Sequence, residues 1–232
     1  MVAKNRCLTG IEVLDNELNG GIPAGSIVLI SGASGVGKTT LCMQYCYEGT
    51  LHGENAVFLS LEEPVEFVKN SAKLFGWDFE NLEKTKKIAF VKYDPYRIED
   101  IFDILDSKIR EINAKRVVVD SISALGIHVR DQAELRSMIF NLSTILRKLD
   151  CTALLVSEIV PGTPGISRYG VEEFVVDGVI VLYYERIQST FTRAIQIWKL
   201  RGSSHSTTIH PYNITSSGIN VSANEEAVIR GR

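Results

Sequence analysis

Residues 32–39, GASGVGKT, constrain this chain more than any other stretch, because they satisfy the pattern Gly, four residues, Gly, Lys, then Ser or Thr. Glycines at 32, 35 and 37 let the backbone wrap inward, so its N–H groups converge on phosphate oxygens with no Cβ in the way. Lys38 then reaches toward the β- and γ-phosphates and Thr39 offers its hydroxyl to Mg²⁺. A helix beginning here turns its positive dipole end to the same anion. Such a loop works only between a strand and a helix. Residues 26–31 (SIVLIS) form a β-branched apolar run that reads as a buried parallel strand, and residues 39–49 read as a helix. The candidate nucleotide contacts are Gly32, Ser34, Gly35, Val36, Gly37, Lys38, Thr39 and Thr40.

In a doubly wound sheet, ligands bind outside the carboxyl ends of the strands, so acids at strand ends face the same crevice as the loop. Residues 56–61 (AVFLSL) read as a strand that delivers Glu62 and Glu63 just before Pro64 opens a helix through about residue 75. Taken alone, these two glutamates also read as first-turn charges that complement a helix dipole. Residues 88–91 read as a strand, and residues 98–113 as a helix with apolar positions at 98, 101, 102, 105, 109 and 112. Residues 116–120 (RVVVD) form a strand ending in an acid about 80 residues after the loop, where Asp120 would hold Mg²⁺ through water and Ser121 would support it. A helix over 132–149 and a strand over 152–157 follow, and the βα alternation then stops.

Residues 158–173 carry Pro161, Pro164, Gly162, Gly165 and Gly170, too many breakers for regular structure, and read as a long loop. Strand-like runs over 174–184, 193–201 and 207–214 predict an antiparallel extension of the sheet. Period two puts Lys199 and Arg201 on one face of the middle run, with His205 a few residues beyond. From this pattern alone, a solvated sheet face with scattered charge is the favoured reading. Residues 7–25 form a short amphipathic lead-in without chemistry of its own, ending in a Gly20-Gly21 and Pro23 turn cluster.

Composition limits the function classes. The chain has 232 residues, 45% hydrophobic and 23% charged, with no low-complexity linker, which predicts one well-cored domain. Its net charge of −3 supplies no global positive field toward nucleic acid or an anionic membrane. No run of about 18 apolar residues suggests a span, and the first residues lack the apolar core of a signal peptide, so a cytoplasmic protein is expected. Cysteines 7, 42, 46 and 151 lack metal-ligand spacing and read as reduced, buried thiols.

The segments GIPAGSIVLISGASGVGKTT, FLSLEEPVEFVKNSAKLFGWDF, RVVVDSIS, RYGVEEFVVDGVIVL, KLRGSSH and TSSGINV resemble the RecA-like ATPases over nearly the whole chain. Within them they resemble the KaiC branch, which includes archaeal single-domain RadA paralogues. The resemblance implies an α/β, RecA-like P-loop fold: a mostly parallel twisted sheet flanked by helices, with a C-terminal antiparallel extension. It implies a single ATPase domain over 1–232, with a lead-in at 1–25 and a flexible tail at 223–232. ATP and Mg²⁺ are the implied cofactors, in a homohexameric ring with ATP between protomers. Glu62 and Glu63 are the implied activators of the attacking water, with Lys38 in the catalytic set and Thr39 and Asp120 at the metal. Lys199, Leu200, Arg201, Ser203 and His205 match the segment that reaches the neighbour's nucleotide.

Departures from the family pattern also inform. The chain has one domain where KaiC has two in tandem, so clock assembly on the full pattern is not expected. Glu172 and Glu173 stand where the autophosphorylated KaiC domain carries a Ser-Thr pair, which implies the ATP-hydrolysing kind of domain and puts autokinase activity in doubt. The Phe-Ala arm by which RecA recombinases form filaments is not visible, which favours a ring.

Two function classes remain open on the sequence. One is a ring-forming ATPase. The alternative is a RadA-type accessory of DNA recombination or repair, in which ATP controls assembly and single-stranded DNA is bound. In that case the segments 126–133 and 159–172 would line the channel with His128, Arg130 and Arg168 against Asp131, Glu172 and Glu173, and Tyr169 would be a stacking platform. A near-neutral balance implies a weak, strongly salt-dependent contact. No membrane partner is expected, and the protein client is not named by the sequence.

Overall fold

The computed structural model describes residues 5–93, 100–127, 129, 131–160, 162–163, 165–187, 189–223 and 225–227. His128, Arg130, Ile98 and residues 224 and 228–232 lie outside that set. In chain order the elements are β1 (Arg6–Cys7), α1 (Glu12–Glu17), β2 (Ile22–Pro23), β3 (Ile27–Gly32), α2 (Lys38–Leu51), β4 (Asn55–Ser60), α3 (Val65–Lys73), α4 (Phe79–Lys84) and β5 (Ile88–Lys92). Then follow α5 (Ile101–Ile112), β6 (Ala114–Asp120), a 3-10 helix at Ile122–Ile127, α6 (Gln132–Lys148), β7 (Thr152–Glu158), α7 (Glu172–Val175), β8 (Gly178–Ile187), β9 (Thr190–Leu200), β10 (Ile209–Thr215) and β11 (Gly218–Val221).

Nine strands form the main sheet in the order β11-β10-β9-β8-β3-β7-β6-β4-β5. The central strand β3 is buried at every residue, as a parallel strand covered on both faces requires. Alternation divides its side chains: Val28 and Ile30 join the core under α2, while Ile27 and Leu29 join the core under α5 and α6. The expected RecA-like layout is thereby present, with helices on both faces of a mostly parallel sheet.

The extension departs from the sequence reading in one respect. β8 pairs with β3 in parallel, from Val28↔Gly178 to Gly32↔Leu182, so the antiparallel part begins only with β9. Residues 174 and 175, read as strand from their apolar character, belong instead to the short helix α7. Neither α4 nor β11 was legible in the pattern. α4 has six residues, too few to show a period, and is started by the Asp78 carboxylate accepting from Asn81 N at 3.0 Å. β11 has four residues and depends on pairing with β10.

The lead-in is structural. Its Ile11, Leu14, Leu18 and Ile22 are buried in the α2-side core. The Arg116 guanidinium, 1% exposed, bonds Glu54 at 2.6 Å and the carbonyls of Leu8 and Tyr45, which fastens the lead-in and α2 to β6. The tail expected over 223–232 is in part tied down: Ala227 N donates to Ile209 O at 2.8 Å, and His210 Nδ1 donates to Glu225 O at 3.1 Å. No helix among the described residues is long and apolar enough to cross a membrane.

Candidate nucleotide site

The loop between β3 and α2 forms one wall of a cleft of ≈ 350 Å³ lined by Ser34, Gly35, Gly37, Lys38, Thr39, Thr40, Ser60, Glu62, Glu63, Asp120, Ser121, Glu158 and Ile214. Backbone geometry explains the glycines. Gly35 and Gly37 have φ of +80° and +94°, a region costly for other residues. A Cβ on Gly32 would stand 2.6 Å from Leu182 O, so this glycine permits close passage beside β8 and does not line the cleft. Val36 is likewise absent from the wall: its side chain is fully buried and anchors the loop in the core.

Lys38 opens α2 and its Nζ donates to Gly32 O and Ala33 O, each at 3.0 Å, so the side chain arcs over the loop. Burial pulls its pKa down, and the carboxylates of Glu158, Asp120 and Glu62 oppose that pull. Thr39 Oγ1 donates to Asp120 Oδ2 at 2.7 Å, joining the start of α2 to the end of β6. Burial pushes the Asp120 carboxyl up to about 6; the Thr39 hydroxyl and Lys38 hold it back, and Glu62 and Glu63 add to the rise. The site therefore concentrates negative charge that a divalent cation would neutralise. One hydroxyl and one carboxylate fit Mg²⁺, which keeps water and phosphate oxygens in most of its positions and needs no protein cage. Among the described residues, no group of three or more His, Cys, Asp or Glu side chains is arranged to hold a metal ion by itself.

Glu62 and Glu63 follow β4 and both are exposed on the cleft. Ser121, which lines the cleft beside Asp120, donates through Oγ to Glu62 Oε2 at 2.6 Å and so holds this glutamate. The Glu63 carbonyl accepts from Ser60 Oγ at 2.6 Å. Glu158 is not marked by the sequence pattern, because it follows the apolar run 152–157 and reads as the start of the loop. It closes β7 opposite Gly32, and the strand-end rule that marked Asp120 would have found it.

Lys199, Leu200, Arg201, Ser203 and His205 are not on the cleft wall of their own chain. Lys199 Nζ donates to Glu173 O at 2.6 Å and Val176 O at 2.8 Å, and Arg201 donates to Phe174 O at 3.2 Å, so this pair caps the carbonyls of α7. A β-bulge sets their direction. Val179 pairs with Lys199 and Ile180 with Ile197, which leaves Trp198 as an extra residue, 52% exposed. The bulge reverses the alternation. Ile195 and Ile197 face the α2-side core before it, Leu200 does so after it, and Lys199 is thereby sent to the α7 side. Leu200 is 5% exposed and can offer a ligand only its backbone. Ser203 accepts from Arg6 at 2.8 Å, and His205 lines a separate hollow with Asn16, Glu17 and Asn19. The two cations come together; the imidazole does not join them.

The sequence profile of the family described as "ATPase: KaiC" matches residues 7–226. The chain belongs to the KaiC family of ATPases. A UPF0273 protein of Thermotoga maritima is 39% identical over 92% of this chain and 94% of its own length. The circadian clock protein KaiC3 of Synechocystis is 35% identical over 89% of this chain but only 43% of its own length. A KaiC-like protein from Pyrococcus horikoshii has a crystal structure that superposes with a TM-score of 0.87 at 36% identity, covering 94% of this chain and 99% of that one. The RecA-like fold and nucleotide-binding character of a KaiC-type P-loop ATPase follow from these matches.

Of the groups expected along segment 159–172 of this KaiC-type domain, Glu172 and Tyr169 are taken up in packing, while Arg168 is exposed. Glu172 is fully buried; it accepts from Ser157 Oγ at 3.0 Å, Ser167 Oγ at 2.9 Å and Val171 N at 3.1 Å, and so adds no surface charge. Tyr169 is used in packing: its hydroxyl donates to Ser123 O at 3.0 Å, and its ring fills the space a Cβ on Gly126 would enter. Arg168 is exposed, with Glu158 3.9 Å away. His128 and Arg130 lie outside the described residues.

Proposed function

We propose that the chain binds ATP with Mg²⁺ and hydrolyses it, working as a homo-oligomeric ring with nucleotide at the protomer boundaries. The observation that carries this reading is the 2.7 Å bond from Thr39 Oγ1 to Asp120 Oδ2, on a cleft also lined by Lys38, Glu62 and Glu63. Phosphate binding falls to the loop N–H groups, Lys38 and the start of α2. Thr39 and Asp120 would hold Mg²⁺, which when bound neutralises charge on the phosphate oxygens. Glu63 takes a proton from water as that water attacks, and Glu62, held by Ser121, keeps the neighbouring side of the cleft anionic.

Support for the ring comes from the placement of Lys199 and Arg201. They lie off their own cleft, positioned by a bulge and by α7, as cations offered across a boundary would be. Such groups stabilise charge developing on the transferred phosphoryl group. The test is light scattering with and without ATP and Mg²⁺, with phosphate release followed in the same samples. Phosphate release confined to an assembled species supports the reading. Release at full rate from a monomer removes the ring, and no release at any concentration removes the ATPase.

A further inference from the structure

Two strands that no motif marks make direct contact with the phosphate loop. Arg193 on β9 and Tyr212 on β10 are cross-strand partners, and Arg193 also pairs with Tyr184 on β8, over whose ring its guanidinium lies at 4.8 Å. The Arg193 guanidinium donates to Gly35 O at 3.2 Å, and the Tyr212 hydroxyl donates to Val36 O. Tyr212 is 1% exposed, and burial pushes its phenol far above the usual range, so at neutral pH it is a fixed donor. Ile214, two residues on and on the same face of β10, closes to 2.7 Å from where a Cβ on Gly37 would stand.

Those two carbonyls belong to the peptide units that carry the Val36 and Gly37 N–H groups. In a trans peptide the C=O and N–H point in opposite directions. A carbonyl pulled outward toward β9 or β10 therefore turns its N–H to the opposite, inner side of the loop. Donation to the carbonyl also polarises the peptide and strengthens its N–H as a donor. We propose that Arg193 and Tyr212 are positioning residues for phosphate binding, aiming and polarising the Val36 and Gly37 N–H groups from behind. The proposal rests on the nucleotide-binding reading above, and it assigns to the antiparallel extension a part in the chemistry of the loop. The Arg193 guanidinium is held by Gly35 O on one side and by the Tyr184 ring beneath it.

The experiment compares wild type with Tyr212→Phe, Arg193→Gln and Arg193→Lys, each checked for an unchanged melting profile. Affinity for ATP and for inorganic tripolyphosphate is measured by calorimetry, and the amide resonances of Val36 and Gly37 are recorded in nucleotide-free protein. Tyr212→Phe and Arg193→Gln should each weaken both ligands about threefold to tenfold, the worth of one hydrogen bond. The Gly37 amide proton should move upfield in Tyr212→Phe and the Val36 amide proton in Arg193→Gln, with Arg193→Lys nearer to wild type. Folded variants that bind tripolyphosphate as wild type does, or that leave both amides unmoved, overturn the proposal. So does a loss seen with ATP alone, since that would place the effect at the base. Should Arg193→Gln not fold, Tyr212→Phe, which keeps the ring, decides alone. If wild type binds neither ligand, it is the nucleotide reading that fails, and the amide shifts still judge the role of the two side chains.

Discussion

Ser121 Oγ donates to Glu62 Oε2 at 2.6 Å, while the adjacent Glu63 carboxylate has no hydrogen bond or ion pair among the described residues. The two glutamates thus differ in freedom to accept a proton. An oxygen already accepting from a hydroxyl has fewer lone pairs to turn toward an attacking water than one facing open solvent in the cleft. Glu63→Gln should keep ATP binding and slow hydrolysis by about 100-fold, the usual scale for loss of a general base. Glu62→Gln retains an acceptor for Ser121 and should lose less. Single-turnover phosphate release checks both, and wild-type turnover in both variants would reduce the pair to helix-start charges.

Lys38→Ala should weaken ATP binding at least tenfold, because the lost ammonium is held over the phosphate loop, bonded to Gly32 O and Ala33 O. A charge-assisted bond to phosphate carries a loss of about 1.5–3 kcal/mol, roughly tenfold or more in affinity. Calorimetric titration with Mg-ATP decides, and unchanged affinity would remove the central assignment.

Asp120 gives a pH dependence of stability whose sign can be stated. Burial pushes its carboxyl up to about 6 from the 3.8 of an ordinary aspartate, so the folded protein holds the extra proton between these values. Stability from this group is present at low pH and is lost as pH rises through that window. The full shift corresponds to on the order of 2–3 kcal/mol. Nucleotide-free Asp120→Asn should therefore melt higher than wild type at pH 7.5, with the difference shrinking toward pH 4.5. Mg-ATP should then raise the melting temperature of wild type more than that of the variant. A variant less stable than wild type at pH 7.5 contradicts the account.

If Lys199 and Arg201 serve a neighbouring protomer, activity should require assembly, and complementary defects should rescue each other. A Lys38→Ala chain has lost its own site but retains Arg201; an Arg201→Ala chain has the reverse. Mixed after subunit exchange, they should form some boundaries with both parts intact and recover activity above either alone, where the cation in trans is worth about 10³ in rate. A mixture as inactive as its parts, with exchange proven by mass measurement, withdraws the trans assignment. Each variant's melting temperature must be followed, since Arg201 also bonds Phe174 O in α7.

The phosphate loop, its flanking strand and helix, and the strand-end acids Glu62, Glu63 and Asp120 were legible in the sequence because each depends on local rules. These are the φ freedom of glycine, the length of an apolar run, and what stands where it ends. Tertiary structure decided the rest. Whether β8 runs parallel or antiparallel depends on its partner β3, and the face on which Lys199 lies depends on a bulge that exists only against β8. Charge along the chain puts Glu172 on the surface, but the fold places Ser157 and Ser167 around it. Arg193 and Tyr212 touch the loop across 158 and 176 residues of chain. Periodicity along a strand states which side chains share a face, but not what that face will meet; the order of strands in the sheet sets that, through burial and pairing between segments remote in the chain.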